Sequence, residues 1–146
     1  MVKYKKGDLL EAPETIIAHG CNSSGGFGSG VAGQIAKKYP QAREAYLRNF
    51  NQFGLELGDM QIVTISSPKI IANCMTQKAY LPRDICHANY EAIELAMFRL
   101  KKFAKEMDFS IAIPKIGAGL AGGDWNVIEP ILEKVFRDYD ITVYEL

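Results

Sequence analysis

Residues 19–40 read HGCNSSGGFGSGVAGQIAKKYP, with six glycines packed into 14 positions between an apolar run and a helical pattern. Glycine in a loop carries a high backbone entropy cost on folding. In return, backbone N–H groups can come close to an anion, most often a phosphate. A second run, GAGLAGGDW at 117–125, has the same character and also leads from an apolar strand into a helix. Two such runs suit one anionic ligand held between two stretches of backbone. Cys21 lies inside the first run, two residues after His19. A thiol nucleophile needs an activating base, and this spacing alone does not supply one.

Gly28-x-Gly30-x-x-Gly33 has the nominal form of a dinucleotide-binding fingerprint. In the true motif the glycines follow the strand directly, and an acidic residue ends a second strand about 20 residues on. Here eight residues separate His19 from Gly28, and no such acidic residue follows. The P-loop pattern GxxxxGK[ST] is absent from the chain.

The elements that must position these loops are legible as alternating patterns. Apolar runs predict strands at 2–5, 15–19, 60–65, 69–74, 110–113 and 141–144. Helical spacing predicts helices at 31–38, 41–50, 84–107 and 125–136. Pro40 separates the first two helices. Asp84 is placed as the amino cap of the third, which would carry His87 within it. Ser66-Ser67-Pro68 suits a hairpin between two of the strands. Strands alternating with helices predict an α/β fold, and the hairpin makes its sheet mixed rather than all parallel. In such folds ligands sit beyond the carboxyl ends of the strands, where both glycine runs fall.

The chain has 146 residues, enough for a single domain spanning 1–146. Seventeen basic and 17 acidic residues balance to zero, and no basic run exceeds two residues. This balance argues against nucleic acid as the main partner. The start, MVKYKKGDLL, is too polar for a signal peptide, and no apolar run approaches a membrane span. The three cysteines form neither a disulfide framework nor a zinc-ligand spacing. Cys74 and Cys86 are expected as small buried side chains. A cytoplasmic protein with no cofactor and no metal is the expectation.

Four blocks in order carry a family resemblance: Gly7-Asp8-Leu9 after the first strand, HGCN, FGSGVAGQIAKKYP and IPKIGAGLAGGDW. Together they resemble the macrodomains, and most of all the small stand-alone ADP-ribose 1''-phosphate phosphatases. The resemblance covers nearly the whole chain. It implies a three-layer α/β/α sandwich with a mixed, mostly parallel central sheet, and ADP-ribose or ADP-ribose 1''-phosphate as ligand.

By that resemblance Asp8, with Leu9, would meet the adenine; otherwise Asp8 is a turn aspartate capping its own backbone. Asn22 would contact the distal ribose and take part in catalysis, or else form an Asx turn. Gly26, Gly28, Ser29, Gly30 and Val31 would form the loop against the distal ribose and its phosphate, with Phe27 as a small lid or a core side chain. Thr76, Gln77, Pro114, Ile116, Gly117, Ala118, Gly119, Leu120 and Ala121 would complete the ligand site, the last loop wrapping the diphosphate. His19 would face the site as acid or base, or be a satisfied structural histidine. Asp124 would act as a base or orient water, or cap the helix that starts at Trp125.

The chain departs from the macrodomain glycohydrolases, which use a lysine and an aspartate. Gln77 and Ala121 stand at those positions, although Lys78 and Asp124 are close by. The resemblance therefore implies a metal-independent phosphatase. The alternatives are an ADP-ribosyl hydrolase or deacylase, for instance on O-acetyl-ADP-ribose, and a non-catalytic ADP-ribose reader.

Overall fold

The computed structural model describes residues 1–79, 86–119 and 121–146. Among the described residues ten main elements follow one another: β1 (Val2–Lys6), β2 (Ile16–Asn22), α1 (Gly30–Lys38), α2 (Pro40–Phe53), β3 (Met60–Thr64), β4 (Ile70–Gln77), α3 (Tyr90–Met107), β5 (Ile111–Ile113), α4 (Trp125–Val135) and β6 (Ile141–Glu145). A single 3₁₀ turn, Leu9–Glu11, follows β1.

The strands form one six-stranded sheet in the order β1-β6-β5-β2-β4-β3. All neighbours run parallel except β3, which pairs antiparallel with β4 across the Ser66-Ser67-Pro68 hairpin. The sheet is mixed and mostly parallel, as the sequence implied. β2 and β4 are buried at nearly every position, so both faces must be covered.

Strand side chains alternate between faces. In β2, Ile17, His19 and Cys21 share one face, and Ile16, Ala18 and Gly20 the other; the register pairs His19 with Asn73 and Gly20 with Cys74. On the first face, Ile17, Cys21, Ile71 and Met75 pack with Ile35 of α1 and with Ala42 and Tyr46 of α2. On the second, Ile16, Ala18, Ala72 and Cys74 pack with Ile93, Met97 and Leu100 of α3 and with Ile128 and Leu132 of α4. The result is a three-layer α/β/α sandwich.

Three local expectations change. α3 begins at Tyr90, not at 84, because Asn89 Oδ1 accepts from Ala92 N at 2.9 Å and caps the helix. The proposed cap Asp84 lies outside the described residues. His87 therefore precedes the helix: its N–H donates to Ala121 O at 2.7 Å, and Ala88 bridges to Gln77. Cys86 is exposed rather than buried, whereas Cys74 is buried as expected.

Candidate functional site

Every parallel strand delivers its carboxyl end to the same edge of the sheet. β2 ends at Asn22 and opens the first glycine loop; its neighbour β5 ends at Ile113 and leads through Pro114 into the second. A cleft of about 430 Å³ lies between the loops, lined by Gly20, Cys21, Asn22, Gly26, Gly28, Ser29, Gly30 and Val31 on one side and by Gln77, Pro114, Ile116, Gly117, Gly119 and Ala121 on the other. A second hollow of about 350 Å³, lined by Asp8, Leu9, Tyr144 and Glu145 among others, adjoins it. The two share Val31, Gln34, Pro114 and Lys115, so they form one elongated groove.

Asn22 shapes the first loop. Its Oδ1 accepts from Ser24 N and Gly26 N, both at 3.1 Å, and its Nδ2 donates to Gly26 O at 2.6 Å. Tyr46 Oη donates to Asn22 O at 2.7 Å and accepts from Gly25 N at 3.1 Å. The Asx turn is therefore real, and Asn22 still borders the cleft. At the loop's far end the chain enters α1 so tightly that a Cβ on Gly33 would stand 2.7 Å from Gly28 O. Ser29, the amino-cap residue of α1, makes no side-chain cap bond. The orphan N–H groups of the first turn of α1 thus meet the cleft at Gly30, Val31 and Ala32, with the positive end of the helix dipole behind them.

The second loop folds back on itself: Gly123 N donates to Gly117 O at 2.8 Å and Gly122 N to Gly119 O at 3.0 Å. Gly117 has φ +80°, and a Cβ there would meet Ile93 Cδ1 at 2.8 Å. Ala121 lines the cleft and its carbonyl accepts from both His87 N and Ala88 N, whereas Ala118 is not among the lining residues. Leu120 lies outside the described residues.

Both expected acid–base groups stand elsewhere. β2 runs three residues past His19, so His19 sits inside the sheet, fully buried, and does not line the cleft. Its Nε2 donates to Asn73 Oδ1 at 2.6 Å, since Asn73 Nδ2 is spent on Ala42 O and Gln61 Oε1. Burial pushes its pKa down to about 4, against a smaller opposing effect of the Asn73 bond. The imidazole is neutral at physiological pH. Phe27 is no lid either: it is buried, edge-on to His19 at 5.4 Å and 4.9 Å from Tyr46. Cys21 Sγ lies 3.8 Å from His19 Nδ1, and burial raises its thiol pKa well above the ordinary value, the opposite of an activated nucleophile.

Asp124 is the amino cap of α4: it accepts from Asn126 N at 2.9 Å, is exposed, and is not part of the cleft wall. Asp8 Oδ1 likewise accepts from Leu10 N at 2.9 Å, yet Asp8 also borders the smaller hollow, so its two readings coexist. Thr76 is fully buried directly behind the wall. Gln77 lines it and donates from Nε2 to Ala79 O at 2.6 Å.

Sequence reasoning missed Gln34, Lys115 and Tyr46. Lys115 is the lysine of the quoted IPKIGAGLAGGDW block, a cation just past the end of β5. Gln34 is one helical turn after Gly30, on the face that the loop presents. Tyr46 has no sequence signal, because only the packing of α2 on β2 brings it under Asn22. Among the described residues no group of three or more His, Cys, Asp or Glu side chains is placed to hold a metal ion, and no helix is long and apolar enough to cross a membrane.

An α/β sandwich with an elongated groove between two glycine loops at the carboxyl edge of its sheet defines a class of ligand-binding domains. Residues 18–132 match the family model of the Macro domain, and the chain belongs to that family. An ADP-ribose 1''-phosphate phosphatase of Candida glabrata is 27% identical over 176 residues, covering 99% of this chain and 98% of that protein. A DNA ADP-ribosyl glycohydrolase of Mycobacterium bovis is 29% identical; the match covers 99% of this chain but only 42% of that protein. The solved macrodomain of Mycobacterium tuberculosis DarG superposes with a TM-score of 0.87 at 28% identity, covering 100% of this chain and 98% of that one.

Proposed function

We propose that the protein binds ADP-ribose and hydrolyses ADP-ribose 1''-phosphate to ADP-ribose and inorganic phosphate. The observation that carries this reading is the uncapped amino end of α1, which opens into a cleft walled on its other side by the second glycine loop. Backbone donors from two sides suit a diphosphate. The adenine would lie in the smaller hollow beside Asp8 and Leu9, and the distal ribose in the larger one near Asn22, Gly26 and Gln77.

In the reaction, water attacks the terminal phosphorus and the bond from phosphorus to the C1'' oxygen breaks. The ribose oxygen takes a proton, and phosphate leaves. Tight placement of the ADP part would supply orientation. Backbone N–H groups of Gly28, Ser29, Gly30 and Val31 would stabilise charge on the phosphoryl oxygens. His19 acts as a positioning residue, holding Phe27 and through it the first loop. The reaction needs no metal, so turnover should be unchanged by a chelator.

The phosphatase relative matches over almost its whole length, which supports this choice. So do Gln77 and Ala121, which can neither form a Schiff base nor act as an acid. A second reading, release of ADP-ribose from modified DNA, is supported by the similar identity of the glycohydrolase relative. The test incubates the protein with ADP-ribose 1''-phosphate and, separately, with an ADP-ribosylated oligonucleotide. Release of phosphate from the first and no ADP-ribose from the second is expected. The reverse pattern would replace the first reading by the second.

A further inference from the structure

α3 packs Ile93, Met97 and Leu100 into the core below the sheet. Its outer face carries Phe98, 51% exposed, and Leu95, 41% exposed, three residues apart and so neighbours on the helix. Single exposed apolar side chains are ordinary. These two, however, line one groove of about 450 Å³ between α3 and α4, together with Glu91, Glu94, Lys101 and Lys134. The groove shares no residue with either hollow of the ligand cleft. Charges on this face of α3 are sorted by sign. Glu91 and Glu94 precede Phe98, whereas Lys101, Lys102 and Lys105 follow it. At 3.6 residues per turn, all of them fall within about 60° of Phe98 around the helix. The helix dipole favours that order in the first and last turns, but it gives no reason for an exposed phenylalanine and leucine between the two signs. Within the chain, Glu94 pairs with Lys134 at 3.2 Å, and Lys101 and Lys105 pair with Asp138 at 3.1 and 2.6 Å. Glu91 and Lys102 enter no ion pair among the described residues.

We propose that this face of α3 is a dimerisation surface, on which a second copy of the chain seats its own α3 antiparallel about a twofold axis beside Phe98. In such an interface the same patch meets itself, so a residue before Phe98 in one copy stands level with the residue equally far after it in the other. Phe98 then meets Phe98, with Leu95 of each copy beside it. Glu91 stands level with Lys105 of the other copy, and Glu94 with the pair Lys101 and Lys102. Opposite charges thus close both ends of an apolar centre. A parallel arrangement would set glutamate against glutamate and lysine against lysine, so the sorting selects the antiparallel one. A second copy of this chain carries the complement of the stripe by construction. The Glu94–Lys134 and Lys105–Asp138 pairs are about half exposed and hold their members weakly. One pair of helices is a small interface, so the dimer is reversible and depends on concentration. The ligand groove stays open in both copies.

The test is sedimentation velocity at rising protein concentration, with a melting temperature recorded for each sample. Five samples are compared: the unaltered protein, Phe98→Ser, Glu91→Lys with Glu94→Lys, Lys102→Glu with Lys105→Glu, and an equal mixture of the two charge-reversed variants. Lys101 is left in place so that Asp138 keeps a partner. The unaltered protein should move from the monomer mass towards twice that mass. Each variant alone should raise the dissociation constant about tenfold or more. The mixture should dimerise like the unaltered protein, because an all-basic stripe then faces an all-acidic one. A monomer at every concentration of the unaltered protein overturns the inference. So does a dimer of unchanged strength in Phe98→Ser or in either charge-reversed variant, since another surface would then hold it. A mixture that stays monomeric while both its members melt normally overturns the charge pairing and the antiparallel arrangement with it. Should a charge-reversed variant melt lower, the Phe98→Ser result decides.

Discussion

His19 lies buried behind the groove, whereas Lys115 borders it. His19 is neutral and buried, with a folded-state pKa near 4 against an ordinary value of 6.5. The unfolded chain therefore binds the proton more readily. Stability contributed by the neutral form is complete above about pH 6.5 and is lost as pH falls towards 4, by about 3 kcal/mol in all. Urea unfolding at pH 7 and pH 5 should show this loss, and His19→Gln should flatten the difference. Lys115 is the one cation among the described residues lining either hollow, paired with Glu145 at 3.4 Å and half exposed. Lys115→Gln should weaken ADP-ribose binding about tenfold at low salt and less at high salt, with adenosine binding unaffected. A strand ending at 19 leaves both readings of His19 open, and the three further residues of β2 favour the structural one. With β2 running to Asn22, alternation puts His19 on the α1–α2 face, beside Asn73, and no longer at an exposed end.

Element boundaries explain the other differences. The helix ending in Met107 was legible from its apolar spacing, but its start was not, since Asn89 and not Asp84 supplies the cap bond. Asp124 was legible as a cap from GGDW, and the structure realises that choice. Asp124→Ala should cost about 1 kcal/mol of stability and leave phosphate release unchanged; a large loss of rate at full stability would restore it to the chemistry. The second loop depends on a backbone that only glycine adopts without strain. Gly117→Ala, at φ +80° and facing Ile93, should destabilise by about 2 kcal/mol, measurable as a lower denaturant midpoint.

At the scale of the whole molecule, the sheet order does the assembling. β2 and β5 are neighbours although some 90 residues lie between them, and that adjacency brings the two glycine loops face to face. The alternation of strands and helices made the α/β class and the carboxyl-edge location legible in advance. The β1-β6-β5-β2-β4-β3 order, the tyrosine under Asn22 and the close approach of Thr76 to Gly20 are products of tertiary packing that no local pattern encodes. β1 and β6 lie outside the residues matched by the family model, yet they complete the sheet and place Asp8 and Glu145 in the smaller hollow, the end of the groove proposed for the adenine. The most direct measurement is a calorimetric titration of ADP-ribose into the unaltered protein, repeated with adenosine. One-to-one binding of ADP-ribose, much tighter than adenosine, is expected if two backbone walls clamp the diphosphate. Equal affinities, or no heat with ADP-ribose, would contradict that clamp and with it the function proposed for the cleft.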